Sequence, residues 1–124
     1  MKLHADAPEG ANIIHAYTPG RVSINGAPFT QSVIVPADAP VELWNARSLD
    51  ELTEAHFDRI AAYRPELVLF GSGATLRFVR PALLRALIDA RIGVDTMDTA
   101  AACRTHSILT SEGRRVLAAL LLPG

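Results

Sequence analysis

At 124 residues, with 49% hydrophobic and 20% charged residues, the chain has the length of one domain and is too apolar for disorder. A formal net charge of −1 at pH 7 offers no basic excess to hold nucleic acid and no acidic excess to make a solvating tail. A single cysteine excludes an internal disulfide and fits a reducing compartment.

Met1 to Gly10 contain Asp6, Pro8 and Glu9 and no apolar core, so they read as neither signal peptide nor transit peptide. Residues 1–12 are expected to be flexible. Ile13 to Tyr17 then form a short β-type run, and Thr18-Pro19-Gly20 a turn. Arg21 to Ile24 alternate polar and apolar, as a half-buried strand does. Asn25-Gly26 is a hairpin signal, because both residues tolerate positive φ. Phe29 to Val35 read as the next strand, and Val41 to Trp44 as a further short one beyond Pro36 and Pro40. These strands are expected to make an antiparallel unit within the same domain, with Trp44 read as core before contact residue, in a Pro-flanked region open to partial exposure.

From there helix and strand alternate. A helix is predicted over Leu49 to Tyr63, capped by Ser48 or Asp50 and stopped by Arg64-Pro65. Glu66 to Phe70 read as a buried strand ending at Gly71-Ser72-Gly73, and Pro81 opens a second helix. Ile92 to Val94 form a short strand, and Asp98 or Thr99 caps a helix of small residues running to about Leu109. Arg114 to Leu122 are the final strand; its longest apolar run, Val116 to Leu122, is far short of the about 20 residues a membrane-spanning helix needs. Strand, helix, strand, helix, strand implies parallel pairing through right-handed crossovers. The fold class is therefore α/β, a mostly parallel sheet with helices, in a single domain over residues 1–124 that is expected to be soluble and cytoplasmic.

Candidate chemistry gathers at few places. Gly71, Ser72 and Gly73 follow a buried strand, where backbone N–H groups can face an anion or simply make a tight turn. Ala74 to Arg77 lack the third glycine of a dinucleotide fingerprint and the lysine of a P-loop. Asp98 and Thr99 leave the same strand edge, where open α/β sheets bind ligands, or they serve only as a helix cap. Arg77 and Arg104 can add positive charge there. Cys103 and His106, three apart on one helix, are either a nucleophile with its base or a buried thiol and its neighbour. No histidine or cysteine spacing suggests a metal, and no cofactor is expected. Arg114 and Arg115 are either solvated, pairing with Glu112, or contacts for a partner.

Ile24-Asn25-Gly26, Ser32 to Pro36, Trp44, Gly71-Ser72-Gly73, Met97-Asp98-Thr99, Ala102 to Thr105 and Ser111 to Val116 together resemble the Mth-domain family. That family includes the mitochondrial complex I assembly factor 3 and the adipogenesis-associated Mth-domain protein. Departures are Ser72 where threonine is frequent, His106-Ser107 in place of Tyr-Asn, and Asp95 in place of glutamate. The resemblance implies a single Mth-type domain with a β-hammerhead-like N-terminal part and no established activity, cofactor or catalytic residue.

Three functions follow as expectations. The first is a non-catalytic protein-binding or assembly factor with an unidentified protein partner, in respiratory complex assembly if the resemblance extends so far. It would use Arg114 and Arg115, with no nucleic acid and no membrane insertion. The alternative is a small-molecule or anion-binding protein, open to being an enzyme, with Gly71, Ser72, Gly73, Asp98, Thr99 and Arg104 at its site. The third is a homo-oligomer in which the final strand pairs with its own copy.

Overall fold

The computed structural model describes residues 10–122; most of the stretch expected to be flexible, residues 1–9, lies outside the described residues. Its core is a five-stranded sheet. Three strands are parallel: β6 (Leu67–Gly71), β7 (Gly93–Met97) and β8 (Val116–Leu120), with β6 between the other two. Two short strands, β4 (Val33–Val35) and β5 (Glu42–Leu43), extend it antiparallel beyond β8, giving the order β5-β4-β8-β6-β7. A separate antiparallel sheet is formed by β1 (Ile14–Thr18), β2 (Arg21–Ile24) and β3 (Ala27–Phe29). Asn25 and Gly26 both take positive φ at the β2–β3 turn, as the sequence predicts.

The long strand expected over Phe29 to Val35 is two strands. The chain leaves the first sheet after Phe29 and enters the second at Val33. Buried Ser32 fixes the crossing: its hydroxyl accepts the N–H of Leu122 at 2.9 Å, and its carbonyl accepts the N–H of Trp44.

Alternation of side chains explains the layers. Ile34, Val68, Phe70, Leu117, Ala119 and Leu121 face one side and pack with Trp44, Phe57, Ile60 and Leu87. Val33, Val35, Ala118, Leu120 and Leu122 face the other and pack with Ile14, Val22, Ile24, Ala102 and Cys103. So α1 (Glu54–Ala61) and α2 (Arg85–Asp89) cover one face. The helix α3 (Thr99–Ser111) and the β1–β3 sheet cover the other. β8 is buried on both faces, which is why it reads as an unbroken apolar run. It also has a neighbour on each side, so pairing of the final strand with its own copy is ruled out.

Three local expectations change. The first helix begins at Glu54, because Leu52, buried in the core, and Thr53 are extended; only a 3-10 turn occupies Leu49–Glu51. The Thr53 N–H donates to His56 Nδ1 at 3.0 Å, so His56 and not Ser48 or Asp50 closes the helix start. The second helix is a 3-10 turn, Pro81–Leu84, followed by α2. Trp44, in contrast, is buried as its core reading expects, with its ring edge-on to Phe57 and Phe70 at 5.8 and 6.2 Å between centroids. Among the described residues, no helix is long and apolar enough to cross a membrane.

Candidate functional site

The glycine loop and the start of α3 do meet at the C-terminal ends of the parallel strands. The Gly73 N–H donates to Thr99 Oγ1 at 2.9 Å, and the Thr99 N–H returns to the Gly73 carbonyl at 2.9 Å. Thr99 Oγ1 donates in turn to the Leu121 carbonyl at 2.9 Å. The Ser72 N–H goes to the Met97 carbonyl, and the Ser72 hydroxyl donates to the Thr75 carbonyl and accepts the Arg77 N–H. The backbone donors of Ser72 and Gly73 are thus engaged within the fold, and Gly71, Ser72, Gly73 and Thr99 are all buried. Asp98 caps α3, its carboxylate accepting the Ala101 N–H at 2.8 Å.

The arginines expected at this edge go elsewhere. The Arg77 guanidinium reaches out to Asp50 at 3.6 Å. Arg104 is exposed on α3 and lines a depression of about 290 Å³ between α3 and β1, with Tyr17, His15, Ser107 and Cys103. No sequence signal announces this pairing, since nothing local says that β1 lies against α3. Arg114 and Arg115 sit at the opposite end of the sheet, just before β8. Arg114 donates to Glu66 at 2.9 Å and Arg115 to Asp38 at 2.8 Å, so Glu112 is not their partner. The order of strands brings Glu66 there, because Leu67 stands beside Val116 in register.

Cys103 and His106 lie on the inner face of α3. Burial pushes the Cys103 thiol up to about 12, with Arg104 pulling weakly the other way. Burial lowers His106 to about 4, and its Nδ1 has no hydrogen-bond partner among the described residues. A thiolate is needed for nucleophilic attack. Native Cys103 should therefore react with iodoacetamide far more slowly than the unfolded chain, as thiol counting with and without denaturant would measure; labelling at equal rates would refute the protonated, buried thiol.

The family model described as "protein of unknown function (DUF498/DUF598)" matches residues 14–121. The chain belongs to the Mth-domain family. A solved Mth938-like domain from Bordetella pertussis is 30% identical to it, with a TM-score of 0.83 over 100% of this chain and 94% of the other. A Bordetella parapertussis crystal structure is 34% identical, with a TM-score of 0.86 over 93% and 99% of the two chains. Among relatives, the Bos taurus NADH dehydrogenase (ubiquinone) 1 alpha subcomplex assembly factor 3 is 33% identical over 116 residues. That match covers 91% of this Mth-domain chain but 62% of the bovine protein. An assembly-factor role is thus represented in the family at the level of whole relatives, and assembly factors act on other proteins.

Proposed function

We propose that this chain is a non-catalytic protein-binding factor that acts in respiratory complex assembly. The observation that carries the non-catalytic half is the state of Cys103 and His106: the thiol is held protonated and the imidazole neutral, each by burial. Neither is poised to react near neutral pH. The respiratory target rests on the name of the bovine relative, a family-level analogy.

Arg114 and Arg115 are the partner surface in this reading. Their ion pairs with Glu66 and Asp38 are solvent-exposed, and such pairs contribute about 0–1 kcal/mol, so a partner's carboxylates can compete for both guanidiniums. Arg114→Ala combined with Arg115→Ala should leave the melting temperature nearly unchanged while reducing co-purification of respiratory subunits. Native gels of a strain lacking the gene should show accumulated subassemblies, restored by the wild type and not by the double variant. Normal complex levels in that strain would remove the respiratory target. Turnover lost on Cys103→Ser or His106→Gln would overturn the non-catalytic reading.

One observation favours the alternative of a small anionic ligand: Arg104, Tyr17 and Ser107 surround a single depression between β1 and α3. A thermal-shift screen tests it, since a ligand at 100 times its Kd adds about 2.7 kcal/mol of stability. A hit whose shift survives Arg104→Ala does not occupy this depression.

A further inference from the structure

From Leu67 to Ile88 the chain carries three arginines, Arg77, Arg80 and Arg85, and no carboxylate, although the whole chain has a net charge of −1. Within that stretch, residues 76–80 form neither helix nor strand. Val79 is buried and packs into the core, which anchors the loop; its neighbours are not. Phe78 is 71% exposed, Leu76 52% and, in α2, Ile88 58%. Exposed apolar side chains of this size are ordinary when scattered, but here three fall within 13 residues, interleaved with exposed cations. Arg85 and Ile88 share one shallow depression beside Pro81, and Val79 and Arg80 share another with Leu49 and Leu83. Asp50 and Asp89 border the patch; Asp50 meets Arg77 at 3.6 Å through an exposed pair, and Asp89 lines the first depression.

We propose that the loop of Leu76, Phe78 and Arg80, with Arg85 and Ile88 of α2, docks the protein on an anionic lipid surface. Two features choose lipid. The cationic run complements lipid phosphates, which guanidinium groups bind in bidentate fashion. Phe78 and Leu76 are also exposed and do not line either depression, so a folded partner would need a pocket shaped to them. The boundary between headgroups and acyl chains accepts apolar side chains without a preformed pocket, and cations beside them add electrostatic attraction. Docking of this kind is shallow and reversible, and it needs no membrane-spanning helix. It is also independent of the respiratory assignment, since either can fail while the other holds.

Co-sedimentation with extruded vesicles at low salt tests the proposal. Vesicles of one part phosphatidylglycerol to two parts phosphatidylcholine should bring the protein down, and pure phosphatidylcholine vesicles should not. High salt should release it, because charge attraction is screened within about 3 Å at 1 M. Leu76→Ser with Phe78→Ser should weaken binding about tenfold or more, and Arg80→Ala with Arg85→Ala should do the same. Unchanged melting curves for both variants would show that the fold is intact. Protein left in the supernatant with anionic vesicles overturns the proposal. So does undiminished binding of the Leu76→Ser, Phe78→Ser variant, which would reduce the effect to non-specific charge. Loss of an acidic protein partner by that variant, with the wild type ignoring vesicles, assigns the patch to a protein and overturns it equally.

Discussion

Replacing Gly71 with valine is expected to abolish stable folding, and replacing it with alanine to weaken the fold severely. A Cβ at this position would lie 2.9 Å from Thr99 Oγ1, 3.0 Å from Thr99 Cα and 3.1 Å from Leu120 Cδ2. The second of these atoms belongs to the backbone, so no side-chain rotation relieves the clash. Thr99 cannot withdraw without losing its bonds to Gly73 and Leu121, which hold the loop, the helix start and the end of β8 together. Overpacking a core by one methyl costs about 1–3 kcal/mol, and exposing a buried donor or acceptor about 1–3 kcal/mol more. Urea unfolding of Gly71→Ala should therefore show a loss of roughly 2–6 kcal/mol. A loss below about 0.5 kcal/mol, the range of ordinary surface changes, would mean that the approach of α3 to β6 is softer than the geometry says.

His106 is expected to make the protein acid-sensitive from about pH 6.5 downward, so that stability starts to fall before carboxylates titrate. Its imidazole sits at about 4 in the fold against an ordinary value of 6.5, through burial. Between those values the unfolded chain binds a proton that the folded chain refuses. The stability held by neutral His106 is complete above pH 6.5, falls as pH drops through the window, and is gone near pH 4. At about 1.4 kcal/mol per pH unit, the full loss is on the order of 3 kcal/mol. His106→Phe should remove that slope. Near pH 7 the variant should be as stable as the wild type or more so, because it also removes the unpartnered Nδ1. Denaturant melts across this pH range decide it: parallel profiles for the two proteins would rule out His106 as the source.

The parallel strands are readable in the sequence because each holds a short apolar run bounded by turn residues: Glu66 to Phe70, Ile92 to Val94 and Val116 to Leu122; the continuation of the second through Asp95 and Thr96 to Met97 is not, because those residues are polar. The cap at Asp98 is readable because capping is local chemistry, a carboxylate accepting an N–H three residues on. What a linear reading hides is which distant groups meet. Gly71-Ser72-Gly73 reads as a tight turn before an anion cradle, and only the position of Thr99 shows where the N–H of Gly73 goes. The break between Phe29 and Val33 is hidden because its cause, the bond from Leu122 to the Ser32 hydroxyl, spans ninety residues of sequence. Arg104 is misplaced for the same reason: its helix position is legible, but the strand β1 across from it is not. Nothing in the sequence singles out Leu76 and Phe78, since sequence alone does not tell an exposed phenylalanine from a buried one.

The place of β8 between β4 and β6 governs how the molecule comes into being. A ribosome delivers β4 and β6 well before the strand that joins them. Until Val116 to Leu122 emerge, both core layers lack their shared wall, and the edges of β4 and β6 stay open to other chains. Most of the chain must therefore wait, unfinished and adhesive, for its closing strand. The interval between synthesis of β6 and of β8 is when a chaperone matters most to this protein.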